Sequence, residues 1–341
     1  MENEALLKLL QDWTNRIPLI ILGSGASVPF NLPSMWVLGE HIKKTASFSD
    51  SKDIEQFEEF KEEFDRCGDL EKTLLSINVR PNVLNSIVRT TWELISKHDL
   101  EAYTTIINKI YDFPLADLIR YFLKASTKKV SIVTTNYDRI GEYAASIAGG
   151  LICTGFAQNY VGHFSNAMQS NNQFNLFGYP GQVNIWKVHG SLDWFKSPIG
   201  DERQLPLREK IPTDYIPSIV TPGLSKYFET HYEPYRTIFT QADNEIEFAN
   251  GYLCIGYGFN DEHVQPKLIN QIKVGKSIIV ITKTLSAKTK QLIIDNKCKN
   301  YILIEEGSKA GTTNVYTSLL GDFVLDDTSF WQLNEYIKLI I

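Results

Sequence analysis

Four short polar or glycine-rich segments hold the residue types that chemistry needs. The first is Gly23-Ser-Gly25-Ala-Ser27. Two glycines allow a tight turn and let backbone N–H groups come close to a phosphate. Val28 stands where the third glycine of a dinucleotide fingerprint belongs, so the pattern alone is weak. The second segment is Thr134-Thr-Asn136-Tyr-Asp138. Helix capping accounts for Asp138, but not for Thr134, Thr135 and Asn136 together. The third is His189-Gly-Ser-Leu-Asp193-Trp194. A histidine at such a turn suits a general base near neutral pH, and equally a satisfied core residue. The fourth, Gly256-Tyr-Gly258-Phe-Asn260-Asp261, reads as a second close-approach turn with Asp261 as an N-cap.

Each segment follows a short apolar run. Residues 18–22, 130–134, 184–188, 252–256, 277–281 and 301–305 read as six strands, and their continuous apolar character suits a sheet buried on both faces. Helical spacing is predicted over 4–15, from Ser34 onward, through most of 50–125, over 139–149, 226–249 (in two pieces), 261–272, 286–296 and 327–340. A helix over 111–123 is entered or broken at Pro114. The acidic run from Asp53 to Glu71 reads as a solvated helix face. Residues 153–183, rich in Asn, Gln, Gly and aromatics, and residues 197–224, with Pro198, Pro206, Pro212, Pro217 and Pro222, read as loop. Strands alternating with helices predict an α/β fold with a parallel sheet. In such sheets ligands sit at the carboxyl ends of the strands, where all four segments fall.

Composition narrows the functional classes. The chain has 341 residues, 40 acidic and 34 basic side chains, a net charge of −6 and 43% apolar residues. That is an ordinary globular balance with no global pull toward nucleic acid or anionic membrane. The apolar runs are far shorter than the ~20 residues of a membrane helix. The acidic Met-Glu-Asn-Glu start is unlike a signal peptide, so a cytoplasmic location is expected. Cys67, Cys153, Cys254 and Cys298 form no C-x-x-C pair, and His41, His98, His163, His189, His231 and His263 show no H-x-x-x-H spacing. No protein-bound metal is expected.

The ordered set Ile20-Ile-Leu-Gly-Ser-Gly-Ala-Ser27, Leu32-Pro33-Ser-Met-Trp36, Thr134-Thr-Asn-Tyr-Asp138, Lys187-Val-His-Gly-Ser191 and Gly256-Tyr-Gly-Phe-Asn-Asp261 resembles the sirtuin superfamily. Within it the chain is most similar to the bacterial NAD+ hydrolases of anti-phage defence. Deacylase sirtuins typically have Gly-Ala-Gly-Ile-Ser and Thr-Gln-Asn-Ile-Asp at the first two segments. They also have a four-cysteine zinc module, which this sequence lacks, and their acyl-peptide groove flanks it.

The resemblance implies a Rossmann-like, parallel six-stranded sheet with helices on both faces, in one sirtuin-like domain over residues 1–341. A helical insertion at about 40–125 separates the first glycine loop from the Asn136 strand. It implies hydrolysis of NAD+ to nicotinamide and ADP-ribose, depleting NAD+ in abortive infection. NAD+ is then the substrate. Gly23, Ser24, Gly25 and Ala26 would bind its pyrophosphate, with Ser27 and Thr135 also among the binding residues. Leu32, Pro33 and Trp36 would cover the nicotinamide side. Asn136 would orient the ribose or the attacking water, Asp138 would line that pocket, and His189 would be the base. Gly256, Tyr257 and Thr282 would hold the adenosine end. A homo-oligomer and a separate trigger are expected, a HerA-type ATPase first among partners, because no sensor domain is recognisable here. Two alternatives remain open: an NAD-dependent deacylase or ADP-ribosyltransferase, and a non-catalytic subunit that binds NAD+ or ADP-ribose.

Overall fold

The computed structural model describes residues 2–77, 79–157, 160–165, 174–220, 232–261 and 264–341. The predicted strands are all present: β1 (Leu19–Leu22), β2 (Lys129–Thr134), β5 (Gln182–Lys187), β9 (Gly251–Ile255), β10 (Ser277–Ile281) and β11 (Tyr301–Glu306). The sheet is larger than six strands. The short β3 (Leu151–Cys153) adds a parallel edge, and the hairpin β12 (Thr313–Thr317) and β13 (Gly321–Leu325) adds two antiparallel strands at the other. The order is β13-β12-β11-β10-β9-β1-β2-β5-β3. Strand β1 has β2 on one side and β9 on the other, so the chain reverses its winding there. That is where a doubly wound sheet opens a crevice.

Residues alternate along each strand between two cores. Ile20, Leu22, Ile132, Leu253, Ile255, Ile279 and Ile281 pack on one face with α1 (Glu2–Thr14), α6 (Pro114–Leu123), α7 (Ile140–Ile147) and the C-terminal helix Leu333–Ile340. Leu19, Ile21, Val133, Tyr252, Cys254, Ile278 and Val280 pack on the other with the helices Tyr235–Phe248 and Val264–Lys273. Burial on both faces is why these strands read as continuous apolar runs.

A third core joins the helical block to a second, antiparallel sheet of order β4-β7-β6-β8. Its strands are β4 (Gly162–His163), β6 (Gly190–Lys196), β7 (Glu202–Gln204) and β8 (Ile216–Ile219). Parts of the segments predicted as loop, 153–183 and 197–224, are therefore strand. The short β7, and Pro217 in β8 opposite Phe195, hid them. Helix α2 (Met35–Thr45) is capped by Ser34, and α3 (Ser51–Cys67) by Asp50. Pro81 begins α5 (Pro81–Asn108), and Pro114 begins α6, as a first-turn proline can. Between α3 and α5 runs α4 (Leu70–Ser76). Phe57, Phe60 and Phe64 turn α3 inward. Most of its acids stay outward, but Asp53 is buried, 2.9 Å from Arg80.

The other helices begin or end differently from prediction. Of 226–249, Tyr235–Phe248 is helical and 226–231 lies outside the described residues. The last helix begins at Leu333, because turns at 326–332 separate it from the strand at 321–325. Residues 286–296 form one turn capped by Ser286, then a wide π-type turn at Gln291–Asp295. Among the described residues no helix is long and apolar enough to cross a membrane.

Candidate functional site

Sheet register brings the four segments to one level. Leu22 pairs with Thr134 and with Ile255, Thr134 with Lys187, and Ile255 with Ile281. Gly23, Thr135, Val188, Gly256 and Thr282 are the next residues on those strands. Parallel neighbours lie about 4.8 Å apart. Asn136 and His189, two residues beyond their paired positions, therefore leave adjacent strands at the same end.

The two glycine turns are built against each other, backbone to backbone. Gly23 N donates to Ile255 O and Gly25 N to Gly256 O, each at 3.0 Å. A Cβ on Gly23 would stand 2.4 Å from Gly256 O, and one on Gly256 would stand 2.3 Å from Ala26 N. Gly256 also has φ +59°, in the left-handed region. These glycines are thus needed for turn-on-turn packing as well as for any ligand. The arrangement limits the phosphate donors that the sequence pattern suggested. Ala26 N and Ser27 N are also committed, to Gly23 O and Ser24 O. Ser24, exposed at the turn, has no hydrogen bond on its N–H or hydroxyl among the described residues, and Gly25 leaves the approach to them open.

Asn136, Ser27 and Asp138 form one network. Asn136 Nδ2 donates to Gly23 O at 3.0 Å and to Ser27 Oγ at 3.2 Å. Ser27 Oγ donates to Asp138 Oδ2 at 2.8 Å. Asp138 Oδ1 accepts from Ile140 N at the start of α7, as a capping residue does. Thr134 Oγ1 ties the strand end to Leu22 O and accepts from Asn136 N. Asn136 is half-buried, and its Oδ1 accepts no hydrogen bond among the described residues. It is held by one end and open at the other. Burial pushes the Asp138 carboxyl up, against the opposing pull of Lys187.

His189 is held at the turn between the two sheets. Its carbonyl accepts from Val220 N, and Gly190 follows with φ +83°, so closely packed that a Cβ would meet Ser218 O at 2.1 Å. The imidazole Nε2 stands 3.0 Å from Asp261 Oδ2, and both side chains are about nine-tenths buried. Asp261 Oδ1 accepts from Val264 N and caps the following helix. The cap was legible in the sequence. The pairing with His189 was not, because it joins the ends of two strands that are not neighbours. An acid beside a histidine fixes the ring and offsets the charge it gains on taking a proton.

The remaining predicted residues are placed less uniformly. Thr282 follows β10 beside Gly256, whose N–H donates to Ile281 O. Tyr257 turns its side chain into the core, 4.9 Å from the ring of Phe259, so backbone is what it offers at the turn. Leu32 packs between two cores, Pro33 is half-buried, and Trp36 is 57% exposed on the first turn of α2.

Behind Asp138 lies a cluster of buried charge. Asp99 on α5 accepts from Arg139 N, Nε and Nη2 at 2.8, 2.9 and 2.6 Å and from the Tyr143 hydroxyl at 2.5 Å. Lys187, wholly buried, donates to the Asp138 carbonyl and pairs with Glu142 at 3.2 Å. Burial, reinforced by Asp193 and opposed by Lys187, raises the Glu142 carboxyl to about 7. Among the described residues no group of three or more His, Cys, Asp or Glu gathers as a metal ion would require.

Residues 130–277 match the SIR2-like domain family. That stretch contains Asn136, Asp138, His189 and Asp261, and it begins after the first glycine turn. Among solved structures, a Sir2 homologue in complex with NAD is 14% identical, with 88% of this chain and 87% of that chain covered and a TM-score of 0.43. A mutant Sir2 homologue bound to ADP-ribose is 14% identical, with 84% and 87% covered and a TM-score of 0.44. Sir2Tm bound to a propionylated peptide is 12% identical, with 84% and 89% covered and a TM-score of 0.44. No curated protein matches the chain.

Proposed function

We propose that this sirtuin-like chain is an NAD+ hydrolase that releases nicotinamide and ADP-ribose and thereby depletes NAD+ in anti-phage defence. The carrying observation is the convergence of a buried His189–Asp261 pair and a half-held Asn136 beside two glycine turns. The match of residues 130–277 to the SIR2-like domain supports an NAD-using enzyme.

The residue types fit the chemistry. Water attacks C1′ of the nicotinamide ribose as the C1′–N bond breaks. The bonding pair returns to the pyridinium nitrogen, so nicotinamide leaves neutral and needs no acid to protonate it, unlike the leaving groups of common glycosidases. His189 takes the proton from water or from a ribose hydroxyl, and Asp261 offsets the imidazolium. Asn136, anchored through Nδ2 on Gly23 O and Ser27 Oγ, uses Oδ1 to orient the ribose or the water. Ser24 offers its N–H and hydroxyl to the pyrophosphate, and Gly25 leaves room for it. Asp138 fixes Ser27 and, through it, Asn136.

In this reading residues 1–341 act as one cytoplasmic unit, with the helical block at 40–125 inserted in it. The chain oligomerises, and a partner such as a HerA-type ATPase releases its activity. The test is nicotinamide release from NAD+ by the purified full chain, alone and with a HerA-type ATPase added. His189→Ala and Asn136→Ala should each lower turnover by roughly 10²–10⁴-fold while the far-UV spectrum is unchanged. Near-wild-type turnover in both variants would refute the site. Release that requires an acyl-peptide would identify a deacylase, and tight NAD+ binding without turnover in the assembled state a sensor.

A further inference from the structure

A cavity of about 890 Å³ opens beside α7. Arg139 at the N-cap of α7, Glu142 of α7, Asp193 of β6 and Gln204 of β7 line its wall, and Tyr160 and Tyr179 also line it. None of Gly23–Ser27, Asn136, His189 or Gly256 lines it. Its volume is that of a small-molecule site.

The charges around the wall do not cancel. Arg139 is matched by Asp99, and Lys187 by Glu142. Asp193 is left over. It is 9% exposed, and its Oδ2 accepts from Gln204 Nε2 at 2.7 Å. Its Oδ1 has no hydrogen-bond partner among the described residues. A buried carboxylate oxygen left in that condition is costly unless a donor reaches it. Burial is what raises the Glu142 carboxyl, and Asp193 adds to the negative field there. Such a wall repels phosphates and carboxylates and attracts a cation. Tyr160 and Tyr179, 88% and 41% exposed, offer aromatic faces suited to the cation's apolar stem or plane.

We propose that this cavity is a second binding site, separate from the glycine turns, for a guanidinium-bearing ligand. A guanidinium supplies several N–H donors in one plane, matching the acceptors of Asp193, Glu142 and Gln204, and it stacks on tyrosine; an ammonium does neither as well. The group could arrive on a free small molecule or as an arginine side chain of a protein, and the probes distinguish these sources.

The experiment is calorimetric titration of the full chain with arginine amide, citrulline amide and a capped Gly-Arg-Gly peptide. Saturable binding of arginine amide, with citrulline amide at least about tenfold weaker, is expected, because one charge-assisted hydrogen bond corresponds to roughly a tenfold or larger change. Asp193→Asn, nearly isosteric, should weaken binding at least about tenfold. Tyr179→Ala, at the exposed edge, should weaken it several-fold and serves if Asp193→Asn fails to fold. Binding of the amide with the peptide excluded assigns a small molecule, and binding of the peptide at least as tight as that of the amide assigns a protein side chain. The proposal is overturned if neither arginine probe binds at millimolar concentration, if citrulline amide binds equally, or if the variants leave binding unchanged. Because the readout is binding, it stands or falls independently of NAD+ hydrolysis.

Discussion

Two regions meet at Asp138 and are built on opposite principles. On one side, the turns at Gly23 and Gly256 present little but backbone, and their fit depends on the absence of side chains. On the other, the flank of α7 gathers Asp99, Arg139, Glu142, Lys187 and Asp193 out of water. Apart from the exposed Ser24 N–H, which water can reach, the N–H groups of Gly23, Gly25, Ala26, Ser27 and Gly256 are already satisfied by backbone carbonyls, so a ligand can come and go without leaving a buried orphan. Buried charges have no such independence, since removing one strands its partner. Substitutions should therefore separate the regions: activity should fail first at the turns, and stability first behind them.

The largest effect should follow from Asp99→Ala. Arg139 would keep its charge in a buried site without the carboxylate that accepts from it, and the Tyr143 hydroxyl would lose the same acceptor. Stranding a buried charge in this way costs roughly 3–5 kcal/mol. Denaturant unfolding monitored by tryptophan fluorescence measures it. A cost below about 1 kcal/mol would erase the distinction between the regions, since exposed ion pairs behave that way. Next should come Gly256→Ala. Its Cβ cannot sit 2.3 Å from Ala26 N, so the two turns must part. Nicotinamide release should fall about 10²-fold, as misplacement by about an ångström produces, with a smaller loss of stability than for Asp99→Ala.

Asp261→Asn sharpens the comparison because it changes charge and little else. Asparagine can still cap Val264 N through its oxygen. What disappears is the negative charge 3.0 Å from His189 Nε2. Turnover should drop about 10- to 100-fold with KM nearly unchanged, and the loss should vanish in a His189→Ala background. A variant that instead raises KM alone would place Asp261 in ligand binding and not behind the base. Ser24→Ala makes the complementary change. It should raise KM for NAD+ several-fold and leave kcat near normal, if the hydroxyl binds the pyrophosphate throughout the reaction.

The same two principles decide what the sequence reveals. Strands such as Leu19–Leu22 and Ser277–Ile281 are legible because burial on both faces leaves them uninterrupted. Glycine turns are legible because glycine alone fits. The antiparallel sheet is not: β7 has three residues, β8 begins Ile-Pro, and their pairing partners lie across loops. The β12–β13 hairpin alternates polar and apolar residues weakly and faces solvent on one side. The acidic run at 53–71 reads as a solvated face from its composition, and only the fold shows that Asp53 is taken inside by Arg80. Buried charge is the least legible feature of all. Nothing about Asp99, Lys187 or Asp193 in sequence distinguishes them from surface residues until distant elements close around them.

The smallest effect is also the one most specific to the charged flank. Burial holds the Glu142 carboxyl at about 7 in the folded protein, above its ordinary 4.5. Between those two values the folded chain keeps a proton that the unfolded chain has released. Raising the pH therefore favours unfolding across that window, and Glu142 costs stability above it and none below about 4.5. Asp138 shares the direction, since burial raises it too. Glu142→Gln removes one of the two contributions without removing Asp138 or Asp193. The unfolding midpoint of the wild-type chain, followed from pH 4.5 to 7.5, should fall more steeply than that of Glu142→Gln, by on the order of 1 kcal/mol over the range. Parallel curves would mean that Lys187, 3.2 Å away, keeps Glu142 ionised throughout. The flank would then be a matched set of ion pairs with Asp193 alone in excess.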